Sequence, residues 1–193
     1  MSASARTLFA SDLHLDGGAP WAIDAFLAFL VGPGLAYAAI QRGIWRAGGV
    51  AVPLAVSHPA AELEYVIRDA GASVVVADAT FRDVAAPLAR LARARFLAAE
   101  QALKASPADG LPHLGSSRRA LIIYTSGTTG RPKGVVTTHE IIGAQIASLV
   151  NAWGWSPADH LLLVLPLHHV HGIINSLGCA LAVRAVCEMP PRF

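Results

Sequence analysis

Charged side chains are scarce in this sequence. Aspartate and glutamate number 13 and lysine and arginine 15 among 193 residues, for a charged fraction of 15% and a formal net charge of +2. So small a balance, with neither sign clustered, makes no surface for gripping nucleic-acid phosphates. Cysteine is scarcer still, with Cys179 and Cys187 the only two. They form neither a metal-type nor a redox-type pair, as expected of ordinary thiols in a reducing cytosol. A long apolar run is missing too. The uncharged stretch 25–40, AFLAFLVGPGLAYAAI, is short for a bilayer span and is interrupted at Gly32-Pro33-Gly34. The first residues lack the signal-peptide order of basic, apolar and small-residue segments. The expectation is a cytoplasmic chain with no membrane span and no nucleic-acid partner.

What is abundant is apolar residues, 54% of the chain. That fraction excludes a disordered chain and is enough for a substantial core. Strand-like and helix-like runs alternate, the pattern of an α/β domain with a sheet flanked by helices. Strands are expected at 6–10, 50–54, 73–77, 120–124, 161–165 and 185–189. Helices are expected at 21–30, 35–47, 59–71, 81–94, 137–153 and 170–183. The turn-rich segment 104–118, KASPADGLPHLGSSR, reads as a surface connection.

The most informative stretch is YTSGTTGRPKG, Tyr124 to Gly134. It follows an apolar strand, ALIIY, and combines two spaced glycines with four hydroxyl side chains and a lysine. Gly127 and Gly130 allow backbone conformations that a β-carbon obstructs. Thr125, Ser126, Thr128 and Thr129 add hydroxyl donors to the backbone N–H groups, and Lys133 adds a mobile positive charge. Such a segment can surround a polyphosphate. The common P-loop needs glycine directly before the lysine and serine or threonine directly after it, where this chain has Pro132 and Gly134.

These residues resemble the phosphate-binding motif of the adenylate-forming enzymes, the acyl-CoA synthetases and their relatives. The resemblance continues in LPLHHVHGIINSLGCAL, Leu165 to Leu181, and upstream in the segment Tyr37 to Asp78. It covers about 31–193, and the doubled histidines and IWRAGG are most similar to malonyl-CoA synthetases. It implies a partial, truncated N-terminal domain of that fold, a small carboxylic acid substrate such as malonate, and ATP, Mg2+ and CoA as cofactors. Carried over position by position, Thr125, Ser126, Gly127, Thr128, Thr129, Gly130 and Lys133 would hold the β- and γ-phosphates. His169 matches the acyl-site histidine and would be catalytic. His168 and His171 beside it read as structural side chains rather than metal ligands, because no further ligand accompanies them.

The same resemblance implies parts these 193 residues do not hold: an aromatic-Gly-x-Thr-Glu turn, a Thr-Gly-Asp ribose clamp, and a smaller C-terminal domain with a catalytic lysine. The chain alone is therefore expected not to complete adenylation. A sheet cut partway leaves apolar faces unpaired, so it is expected to need another chain to be stable. Residues 6–30, RTLFASDLHLDGGAPWAIDAFLAFL, resemble instead the start of UDP-2,3-diacylglucosamine hydrolases, which are metallophosphoesterases. There Asp12 and His14 would bind one of two metals. The expected organisation is a chimera, with 1–30 metallophosphoesterase-like and 31–193 a partial AMP-binding domain. A metal-dependent phosphoesterase fragment and a non-catalytic nucleotide-binding module stay open as alternative functions.

Overall fold

The computed structural model describes residues 25–105, 111–126 and 130–190. Six strands form one sheet, in which the fourth along the chain lies at one edge, followed by the third, first, second, fifth and sixth. They are β1 (Phe26–Leu30), β2 (Val50–Pro53), β3 (Val74–Ala77), β4 (Arg95–Ala98), β5 (Arg119–Thr125) and β6 (Lys133–Thr138). β1 to β5 run parallel, and β6 returns antiparallel at one edge. A second, two-stranded parallel sheet pairs β7 (His160–Leu162) with β8 (Val186–Glu188).

Alternation along the strands divides the core into two layers. Leu27, Phe29, Val74, Val76, Leu121 and Ile123 face one side. Over them pack α1 (Leu35–Arg46), α4 (Ala99–Lys104), α5 (His139–Trp153) and a π-helical segment His171–Gly178 that continues as α6 (Cys179–Val183). Ala28, Leu30, Val50, Val52, Val75 and Ile122 face the other side, covered by α2 (Ala60–Asp69) and α3 (Arg82–Leu91). A parallel sheet needs this double cover, because its strands are apolar on both faces. The architecture is the expected α/β sheet flanked by helices.

Three local expectations change. Residues 21–30 read as a helix, yet 26–30 are the central strand β1, hydrogen-bonded to both β2 and β3. FLAFL is buried on both faces, and an uninterrupted apolar run carries no period to separate helix from strand. The expected helix 137–153 begins at His139, capped by the Thr138 hydroxyl, which accepts from the Ile141 N–H at 3.2 Å. Ahead of it lies β6, which the sequence reading did not separate from the glycine-rich stretch. β4 and α4, within and after the alanine-rich stretch, were likewise not foreseen.

Candidate functional site at the carboxyl edge of the sheet

The parallel strands β1 to β5 all end at one edge, at Leu30, Pro53, Ala77, Ala98 and Thr125. Ligands in open α/β sheets bind outside the carboxyl ends of the strands. The glycine-rich stretch leaves from this edge. Thr125 ends β5, Lys133 opens β6, and the two are cross-strand partners that close the connection between the strands. Thr125, Ser126, Gly130 and Lys133 are all exposed. Gly130 has φ +88°, a left-handed conformation natural for glycine and strained for other residues. Gly127, Thr128 and Thr129 lie outside the described residues, as do Asp12 and His14.

The histidine-rich segment reaches the same edge by another route. Tyr37 of α1 is buried, and its hydroxyl donates to the Leu167 carbonyl at 2.5 Å. Burial holds the Tyr37 phenol well above its ordinary pKa, so it stays a donor. Segment 163–168 lines a cleft of about 260 Å³ together with Val31 after β1 and Leu54 and Val56 after β2. The His168 and His169 ring centroids are 4.1 Å apart, and that of His58 is 5.6 Å from His168. His58 Nδ1 is 3.2 Å from Glu62 Oε2. His169 is exposed, and its carbonyl accepts from the Ile173 N–H at 3.0 Å, which anchors it to the π-helical segment.

Beyond His169 runs a polar chain the sequence reading missed. Gln145 Nε2 of α5 donates to Asn175 Oδ1 at 2.6 Å, and the Asn175 amide lies 3.4 Å from His171 Nδ1. His171 and Asn175 are four residues apart on the π-helical segment, so they share a face. That spacing was visible in HGIIN; the partner on α5 was not. Single-turn π geometry is rare and concentrates at functional sites. Among the described residues no group of three or more His, Cys, Asp or Glu side chains could hold a metal ion. Nor is any described helix long and apolar enough to cross a membrane.

His168 is a site histidine whose titration is strongly altered. Burial, then His169, then His58 lower its pKa from 6.5 to about 4. The unfolded residue takes up a proton near pH 6.5, whereas the folded one resists protonation until about pH 4. Between those values the unfolded state binds more protons, so this contribution to stability is complete above pH 6.5 and is lost as the pH falls toward 4. His168→Gln is expected to flatten the acid side of the stability profile by about 1 kcal/mol, the shift being discounted for solvent screening of a half-exposed ring. Urea midpoints of both proteins at pH 7 and pH 4.5 check this.

The geometry thus puts a hydroxyl- and lysine-bearing strand connection and an imidazole-bearing segment on one edge of a parallel sheet. Comparisons with known proteins bear on the fold and the family. Residues 24–193 match the profile of the AMP-binding enzyme family. The human mitochondrial malonate–CoA ligase ACSF3 is 45% identical over 173 residues, covering 86% of this chain and 30% of that protein. A malonate–CoA ligase of Arabidopsis thaliana is 38% identical over 180 residues, again covering 30% of the relative. Among solved structures, ATP-bound MatB from Rhodopseudomonas palustris superposes with a TM-score of 0.79 at 31% identity, over 89% of this chain and 36% of that one. The chain spans about a third of the length of these relatives. With the family profile matched over most of its length and the fold reproduced, the chain belongs to the AMP-binding enzyme family.

Proposed function

We propose that these residues form the phosphate-gripping and acyl-site portion of an AMP-forming acyl-CoA ligase acting on a small carboxylic acid of the malonate class. The reading rests chiefly on one observation, the exposed Thr125–Lys133 pair that closes the connection between β5 and β6 at the carboxyl edge of the parallel strands. In the proposed reaction the substrate carboxylate attacks the α-phosphorus of ATP and pyrophosphate leaves. CoA thiol then displaces AMP from the acyl adenylate. Negative charge grows on the departing β- and γ-phosphates, so donors fixed there favour the transition state over the ground state. Thr125, Ser126, Gly127, Thr128, Thr129, Gly130 and Lys133 supply those donors in this reading. His169 faces the acyl group and the adenylate. Mg2+ enters with the nucleotide, carried by phosphates and waters, as is usual for this ion.

In this reading the 193 residues bind nucleotide but do not complete adenylation by themselves. The division into a metallophosphoesterase-like segment 1–30 and a partial AMP-binding domain 31–193 stays part of the proposal, with residues 26–30 serving as β1 of the sheet. Cytoplasmic placement also belongs to it.

The test is calorimetric titration of the chain with MgATP, pyrophosphate and AMP. ATP and pyrophosphate are expected to bind and AMP to bind far more weakly, because the grip is on the β- and γ-phosphates. Lys133→Met is expected to weaken ATP binding by about tenfold or more, the loss that follows removal of a charge-assisted hydrogen bond. Equal affinity for AMP and ATP would overturn the reading.

Another chain is expected to cover part of this surface. Of the 15 residues of α5 only Ile142 is buried, although the helix reads HEIIGAQIASLVNAW. Ile141, Trp153 and Val135 are each at least half exposed. Large apolar side chains exposed in this number are normally covered, and β6 is an edge strand of the sheet among the described residues. Sedimentation velocity of the isolated chain is expected to show self-association at micromolar concentration. A monodisperse monomer would contradict the expectation.

A further inference from the structure

Two side chains of α2 contact the two stems of the phosphate-binding segment. The Tyr65 hydroxyl donates to the Pro132 carbonyl at 3.1 Å, just before Lys133. The Tyr124 hydroxyl, just before Thr125, donates to Asp69 Oδ2 at 2.7 Å. Tyr65 and Asp69 are four residues apart on the helix and so stand on one face. The second Asp69 oxygen lies 3.4 Å from the Tyr65 hydroxyl, a longer contact than the one to Pro132. With one hydroxyl hydrogen to place, Tyr65 gives it to the nearer carbonyl.

Two further features suit this arrangement. Asp69 is the last residue of α2, where a carboxylate faces the negative end of the helix dipole. An acid there is unfavourable by itself, and a short hydrogen bond from a phenol offsets it. Gly134, the final glycine of the motif, is the cross-strand partner of Tyr124. A β-carbon at Gly134 would lie 2.9 Å from Ile122 Cγ2 and 3.1 Å from Tyr124 Cζ. The Tyr124 ring lies against the bare glycine, an aromatic covering a strand glycine, and from there its hydroxyl reaches α2. Burial, then the Asp69 hydrogen bond and charge, hold the Tyr124 phenol well above its ordinary pKa, so it remains the donor.

The geometry points to Tyr65, Asp69, Tyr124 and Gly134 as positioning residues that clamp both stems of the phosphate-binding segment to α2 and so fix Thr125 and Lys133 for the nucleotide phosphates. This divides the motif in two. Residues 125–130 and Lys133 grip, whereas Tyr124, Pro132 and Gly134 hold the grip in register with a helix more than fifty residues upstream. Rigid stems lower the ordering cost of binding, so their contribution is read as affinity for phosphate rather than as global stability. The inference rests on the reading of 125–133 as the phosphate-binding segment.

The test uses the 193-residue chain with Tyr124→Phe, Asp69→Asn, their double variant, and Tyr65→Phe. Hydrogen exchange of the amides of Thr125, Gly130, Arg131, Lys133 and Gly134 is measured beside the pyrophosphate Kd and the urea midpoint. Tyr124→Phe and Asp69→Asn are each expected to speed exchange of these amides about tenfold and to weaken pyrophosphate about fivefold. The double variant is expected to match either single one, since both remove the same bond. Tyr65→Phe is expected to speed exchange at 133–134 alone. Wild-type exchange in both Tyr124→Phe and Asp69→Asn overturns the clamp. So do additive effects in the double variant, or exchange accelerated equally across the sheet. If the unaltered chain binds no pyrophosphate, the function reading fails, while the exchange arm still decides the clamp.

Discussion

Gly172→Ala is expected to destabilise the chain by on the order of 3 kcal/mol and to dislodge the histidine segment from the carboxyl edge. Gly172 is buried in the π-helical segment, backed against the turn that carries His168 and His169. An added β-carbon would collide with the Pro166 carbonyl oxygen, lie 3.1 Å from the Pro166 carbonyl carbon and 3.3 Å from the Leu165 oxygen. All three are backbone atoms, so no rotamer change relieves the contact. The Leu167 carbonyl next to them is already bound to Tyr37. The strain therefore passes to residues 165–169. Urea unfolding followed by circular dichroism measures the loss. A change under about 0.5 kcal/mol would mean that the segment does not pack on Pro166 in this way.

Phe29→Ala is expected to cost about 3–5 kcal/mol, the range for deleting a fully buried aromatic side chain. Phe29 is completely buried in β1, between Val76 of β3 and Pro53 of β2. Its ring centroid is 5.0 Å from that of Tyr37, at 54°. The cavity left would open beneath the phenol that anchors Leu167, so the damage reaches the site as well as the core. Denaturant titration gives the stability change, and the His168 and His169 ring protons in an NMR spectrum report the site. A cost under about 1 kcal/mol would place residues 26–30 outside the core and return them to the helical reading.

The residues proposed to grip phosphate could be nominated from the sequence because they are contiguous. Seven positions between Thr125 and Lys133 carry recognisable chemistry, and no folding is needed to bring them together. His169 was nominated for the same reason, in a short stretch of doubled histidines after Pro-Leu. Tyr65 and Asp69 were not, because their partners Pro132 and Tyr124 stand 67 and 55 residues away. Gln145 stayed hidden behind a 30-residue separation from Asn175. β1 was misread for a different reason. A strand buried on both faces repeats no polar position, and FLAFL fits a helix as well as a strand until its neighbours are known. β6 was lost because its valines and threonines follow the motif directly, with no turn residue after Gly134 to mark a new element.

The central claim is that nucleotide phosphates are held between the end of β5 and the start of β6. Titrating the 15N-labelled chain with MgATP while following its amide signals tests that claim most directly. The account predicts saturable shifts concentrated at Thr125, Ser126, Gly130, Arg131, Lys133 and Gly134, competed by excess pyrophosphate and needing about tenfold more MgATP or higher in Lys133→Met. Shifts that fall elsewhere, or that persist unchanged in Lys133→Met, would contradict it.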